Sequence, residues 1–127
     1  MEILFLIGRI IFGGFFLMNA LNHFTKTAML TGYAASKNVP SPRLAVLATG
    51  VLLTLGGLGM LLGTYVEWAV LALALFFISV NFKVHDYWRD TDPNTKMMNK
   101  INFNKNLALL GAALMVLAIP QPWPFSL

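Results

Sequence analysis

The segment LAVLATGVLLTLGGLGMLL, residues 44–62, decides the fold, because no charged residue or histidine interrupts it. As an α-helix this segment would be about 29 Å long, close to the ~30 Å hydrocarbon core of a bilayer. The whole chain is 57% apolar and only 11% charged. Soluble domains are nearer ~45–50% apolar and ~25% charged, so this composition predicts a protein that resides in lipid.

Similar segments lie on both sides of this one. Residues 3–22 are interrupted only by Arg9, and the apolar run after residue 65 is interrupted only by Glu67. The last apolar run, residues 107–119, needs the preceding polar turn to cross a bilayer. We therefore predict an all-α membrane protein, a single domain built as a four-transmembrane-helix bundle. Its predicted spans are residues 3–22, 43–62, 65–84 and 103–119.

The connections carry their own signals. Residues 26–37 place Met29, Leu30, Tyr33 and Ala34 on one helical face, which predicts a short interfacial helix between helices 1 and 2.

Gly63 suits the left-handed end of a helix, and residues 64–67 fit a capping box that opens the third span. Asp92 and Pro93 resemble a helix start before residues 94–102, which we expect to run as an interfacial turn or helix into the fourth span.

The basic residues predict the orientation. In a four-span protein the loops after the first and third spans share one side, and eight of the nine basic residues belong to that side. The positive-inside rule makes it cytoplasmic and places both termini on the outer side. The partners expected for these charges are anionic lipid headgroups, not nucleic acid. The eight residues are Lys26, Lys37, Arg43, Lys83, Arg89, Lys96, Lys100 and Lys105.

Polar side chains collect at the same end of the predicted helices, in pairs four residues apart that share a helix face. Hydrocarbon offers amides and imidazoles no hydrogen bonds, so these faces should turn inward and form one polar pocket. Its occupant is water, a headgroup, or the polar end of a small amphipathic molecule such as a quinone. The alternative is that the pairs only join helices to one another. The residues are Asn19 with His23, Asn81 with His85, and Asn102 with Asn106, with Lys105 beside the last pair.

Arg9 is the other unusual residue, because it lies about two turns inside the first span. Its long side chain either reaches the membrane surface or serves a function such as an outer gate, and Glu67 is an available partner. The glycines of the first two spans favour close packing within the chain over dimerisation.

The most distinctive block of the sequence is NFNKNLALLG at residues 102–111, and other notable positions are Gly8-Arg9, residues 21–24, residues 32–40, His85 and Trp88. Together these blocks resemble the DoxX family of small bacterial membrane proteins. The resemblance implies a four-helix protein of the bacterial cytoplasmic membrane. It also implies that Arg9, His23, His85, Asn102, Lys105 and Asn106 occupy family positions, whereas Asn19 and Asn81 rest on spacing alone.

The family takes its name from a subunit linked to quinone-dependent oxidation of sulfur compounds. The resemblance thus implies an accessory or ligand-holding subunit of a membrane redox system, with a quinone as the candidate cofactor and other membrane subunits as partners. A lipid or small-molecule carrier and a purely structural subunit are the alternatives. No catalytic constellation is present, and we expect no metal or haem, because cysteine is absent and a closed metal site needs three or four ligands.

Overall fold

The computed structural model describes residues 1–127 and consists of helices joined by short connections. Three segments are long and apolar enough to cross a membrane. They are α1 (Glu2–Thr25), α3 (Pro42–Leu62) and α4 (Val66–Lys83), the last continuing through a 3-10 turn at Tyr87–Arg89. These helices confirm the prediction of an all-α membrane protein.

Two further helices complete the chain. A short helix, α2 (Thr27–Ser36), occupies the predicted connection between the first two spans. The last helix, α5 (Pro93–Val116), is continuous from its first residue, so the segment at residues 94–102 belongs to it. Its polar first half keeps α5 out of the set that qualifies as membrane spans by composition.

The helix ends confirm two of the three local signals. Gly63 has φ +70° and ends α3 in the left-handed conformation, and Asp92 begins α5 by accepting a hydrogen bond from the Thr95 N–H at 2.9 Å. The predicted capping box before α4 is wrong. Tyr65 precedes that helix without a side-chain cap, and the Glu67 carboxylate instead accepts a hydrogen bond from Gln121 Nε2 at 3.0 Å.

The helices pack in the order α1, α3, α4 and α5, with α2 against α3 and α1. The backbones of α1 and α3 approach closely, because a Cβ on Gly13 would lie 2.8 Å from the carbonyl oxygen of Gly57. Both glycines therefore pack within the chain, as predicted. The Cα atoms of α1 and α5 all lie more than 8 Å apart, and we call this wider separation the α1/α5 gap.

An apolar layer divides the bundle into two ends. Phe16 on α1 and Phe77 on α4 are both buried, with ring centroids 5.7 Å apart, and Leu53, Leu73 and Ala113 belong to the same core. We call the end that carries α2 and the 3-10 turn the loop end, and the end that carries both chain termini the tail end. This layer of apolar side chains separates the polar residues of the loop end from Arg9.

Candidate functional site

A cavity of about 390 Å³ lies at the loop end, between α1, α3, α4 and α5. Its inner wall is apolar and includes Phe15, Phe16, Leu53, Phe76 and Phe77. Six of the eight predicted site residues line it. They are Asn19, His23, His85, Asn102, Lys105 and Asn106.

His23 joins α1 to α3 at the cavity wall. Its Nδ1 lies 2.9 Å from the carbonyl oxygen of Val46 and 3.2 Å from the hydroxyl of Thr49. Gly50 provides the room, because a Cβ at that position would lie 3.0 Å from the Cβ of His23. The backbone of α3 thereby fixes the orientation of the imidazole.

His85 is held by an asparagine that the sequence reasoning missed. Asn99 on α5 is buried, and its Oδ1 accepts hydrogen bonds from His85 Nδ1 and from the Tyr33 hydroxyl, each at 3.1 Å. The other side of the Asn99 amide donates to the Asp90 carboxylate at 2.7 Å. One side chain of α5 thus connects α2 with both His85 and Asp90 in the connection between α4 and α5.

A signal for Asn99 was present in the sequence. Asn99, Asn102 and Asn106 follow one another at spacings of three and four, which places them on one face of a continuous helix. The predicted boundary between residues 94–102 and the fourth span placed Asn99 and Asn106 in different elements, so the shared helix face was not recognised. The continuity of α5 brings all three amides toward the bundle.

Asn81 lies behind the cavity wall, where it is buried and bonded to α5. Its Oδ1 accepts a hydrogen bond from Asn106 Nδ2 at 3.1 Å, and its own amide donates to the Phe103 carbonyl at 3.3 Å. The Asn81–Asn106 pair therefore joins α4 to α5, as hydrogen-bonded amides do between membrane helices. Asn81 shapes the site through Asn106.

Lys105 extends from α5 toward α1 across the α1/α5 gap. Its Nζ lies 5.8 Å from the ring centroid of Phe15. Asn19, one turn further along α1, donates its amide hydrogen to the Phe15 carbonyl at 2.8 Å, and Asn102 lines the cavity one turn before Lys105. Lys83 adds a second ammonium group to the lining. The rim of the cavity is therefore polar and cationic, in contrast to its inner wall.

A cluster of charges closes the loop end beneath the cavity. The Lys37 ammonium lies 2.7 Å from the Asp86 carboxylate and 2.8 Å from that of Asp90, and all three side chains are largely buried. Burial lowers the pKa of Lys37, but the hydrogen bonds to the two carboxylates outweigh it and raise that pKa above its ordinary value. The hydrogen bond from Asn99, followed by that from Lys37, lowers the pKa of Asp90.

This cluster predicts a pH dependence of stability. Because the folded pKa of Asp90 lies below its unfolded value of about 4, its contribution is present above that pH and is lost as the pH falls through the folded pKa. We expect Asp90→Asn to unfold more readily than wild type between about pH 5 and pH 9. The difference should vanish in acid, which chemical denaturation at several pH values measures. A difference that persists undiminished in acid would contradict the charge assignment.

Arg9 lies at the tail end and does not take part in the cavity. It is only 4% exposed, so its side chain does not extend to the surface. The guanidinium donates to the carbonyl oxygens of Met60 and Leu61 at 3.2 and 2.9 Å, and to those of Pro124 and Phe125 in the C-terminal segment. Arg9 makes no ion pair with Glu67, because backbone carbonyls occupy its donors.

These features define a class of protein: a small helical membrane protein with a polar cavity at one end of its bundle. The chain belongs to the DoxX family, because the DoxX family model matches residues 4–86, more than half of its length. The match covers α1 to α4 with His23 and His85 and ends before α5, which carries Asn102, Lys105 and Asn106. Comparison with curated proteins and with solved structures gave no match.

Proposed function

We propose that this protein holds the polar head of a small amphipathic molecule, such as a quinone, as an accessory subunit of a membrane redox system. The observation that carries the proposal is the cavity at the loop end, whose rim is polar and cationic and whose inner wall is aromatic and aliphatic. A ligand with a polar head and an apolar body matches both surfaces. The redox part of the proposal rests on what the resemblance to the family implies.

The α1/α5 gap supports entry of such a ligand from the membrane. Neighbouring helices elsewhere in the bundle pack closely, whereas α1 and α5 have no close backbone contact beside the cavity. An amphipathic molecule dissolved in the bilayer would reach the polar rim through this gap, with its apolar body in hydrocarbon throughout. Lys105, which crosses the gap toward Phe15, would meet the head first.

The proposal includes a fourth crossing by α5. A helix of 24 residues is about 36 Å long, enough for a bilayer. Asn99 and Asn106 of this helix are buried against the bundle, and the exposed Lys96 and Lys100 of its first half would lie among the lipid headgroups. α2 would then lie in the membrane interface. The loop end, with eight of the nine basic residues, would face the bacterial cytoplasm, and both termini the outer side.

Extraction of the purified protein tests the binding function. The full chain would be purified in mild detergent, extracted with organic solvent, and the extract analysed by mass spectrometry. We expect near-stoichiometric recovery of one amphipathic compound, with about tenfold weaker retention by His85→Ala and by Lys105→Met, since each loses a hydrogen-bonding group. Lys100→Met is the matched control, because Lys100 lies on the same helix outside the cavity lining.

Other results of this experiment would overturn the proposal. Recovery of a bound phospholipid that is not redox-active would favour a lipid carrier. An empty protein that co-purifies with a larger membrane assembly would favour a structural subunit. Unchanged retention in both the His85 and the Lys105 variants would show that the cavity is not the binding site.

A further inference from the structure

The two cavity histidines share a hydrogen-bonding arrangement that fixes where their protons lie. Nδ1 of His23 faces the Val46 carbonyl oxygen at 2.9 Å, and a carbonyl oxygen only accepts. Thr49 lies 3.2 Å away and donates its own hydroxyl hydrogen to the Ala45 carbonyl at 2.7 Å, so it too can only accept from His23. Nδ1 of His23 therefore carries a hydrogen.

The same conclusion holds for His85, through Asn99. The Asp90 carboxylate accepts at 2.7 Å from Asn99, so the amide nitrogen of Asn99 must face Asp90 and its oxygen must face His85. That oxygen lies 3.1 Å from Nδ1 of His85 and only accepts. Nδ1 of His85 therefore also carries a hydrogen, and Asn99 is the positioning residue that enforces this tautomer.

A neutral imidazole with its hydrogen on Nδ1 has an unprotonated Nε2, which accepts hydrogen bonds. Neither Nε2 has a partner within the protein, although both histidines line the cavity. Asn19 uses one of its two amide hydrogens on the Phe15 carbonyl, which leaves it one hydrogen to donate and an oxygen to accept. Beside the ammonium donors of Lys83 and Lys105, the wall thus offers two imidazole acceptors, which a head with carbonyl oxygens alone cannot use.

We infer that the ligand head is a hydrogen-bond donor: a hydroxyl group of an alcohol, a phenol or a reduced hydroquinone, in preference to a head with carbonyl oxygens alone. This inference rests on the proposed binding function. The hydroxyl hydrogen is donated to Nε2 of His23 or His85. The hydroxyl oxygen accepts from Lys105, whose ammonium lies at the same rim. A carbonyl head would leave the histidine acceptors unsatisfied, which disfavours its binding.

The inference is tested with two probes, 4-octylphenol and 4-octylanisole, which differ only in that a methyl group replaces the hydroxyl hydrogen. Each is incubated with the full-length protein in detergent, and the compound retained per protein after rapid gel filtration is quantified. The phenol-to-ether ratio of the wild type is compared with that of the His23→Phe/His85→Phe double variant. Because both proteins are in the same detergent, this comparison removes the effect of probe partition into micelles. We expect a ratio about tenfold higher for the wild type. Trp68→Phe, at an exposed position outside the cavity lining, should match the wild type.

A second measurement needs no ligand, and its wild-type part needs no variant. Nitrogen NMR of ¹⁵N-histidine-labelled wild-type protein above pH 7 should show Nδ1 protonated and Nε2 unprotonated for both residues. Asn99→Leu should release this preference at His85 and leave His23 unchanged, a result that a merely structural role of Asn99 would not produce.

The possible outcomes distinguish failure of this inference from failure of the proposed binding function. Equal phenol-to-ether ratios in the wild type and the double variant, or histidines protonated on Nε2, would overturn the inference and leave binding intact. Retention of neither probe by the wild type would overturn binding of such heads in the cavity, and the inference with it.

Discussion

Replacing Arg9 with Leu is expected to lower the free energy of unfolding by about 3–5 kcal/mol, the largest effect of any single substitution considered. The guanidinium satisfies carbonyl oxygens at the C-terminal end of α3, where a helix leaves its last carbonyls without internal partners. Loss of Arg9 leaves several buried acceptors unsatisfied, at about 1–3 kcal/mol each. It also removes the cation from the rings of Phe5 and Trp123, 5.6 and 5.4 Å from the guanidinium carbon.

Denaturant titration in detergent measures this loss, and Arg43→Leu is the control because Arg43 is exposed. Arg9→Lys should be intermediate, since an ammonium keeps the charge but cannot reach four carbonyls at once. The C-terminal segment should detach in Arg9→Leu, which the accessibility of a cysteine at Ser126 would report. A variant as stable as wild type would show that these hydrogen bonds contribute nothing net.

Gly13→Ala is expected to lower the stability by about 1–3 kcal/mol, although Ala is ordinarily the better helix residue by about 1 kcal/mol. The new methyl group would lie 2.8 Å from the Gly57 carbonyl oxygen and 3.1 Å from the backbone nitrogen of Leu61. Both neighbours are backbone atoms of α3, so relief requires α1 and α3 to separate.

Gly14→Ala is the matched control, one residue away in the same helix. A Cβ there meets nothing within 4 Å, so this variant should be unchanged or slightly more stable. The two alanine variants are compared by the same denaturant titration. Equal stabilities would contradict the close approach of α1 and α3.

The sequence predicted the apolar helices well because hydrocarbon imposes a length and a composition that the residues themselves display. The end of α3 at Gly63 could also be predicted, because the left-handed conformation at a helix end favours glycine. Collection of the polar side chains at one end also followed, because amides and imidazoles in lipid must seek one another. Six of them meet at one cavity.

The partners of those side chains could not be predicted. Arg9 and His23 bond to backbone carbonyls, and since every residue has one, no residue type marks which carbonyl is used. The Lys37–Asp90 ion pair joins residues far apart in the chain, so it depends on how α2 packs. Asn99 was hidden by placing a boundary inside α5, where hydropathy falls although the helix continues.

The uneven spacing of the helices has a mechanical consequence. α1 is held firmly to α3 by backbone contact at Gly13 and by the guanidinium bonds, and α5 is held to α4 by paired amides. α3 and α4 also meet closely, because a Cβ on Gly59 would overlap that of Ala69, so any widening of the cavity is expected at the α1/α5 gap.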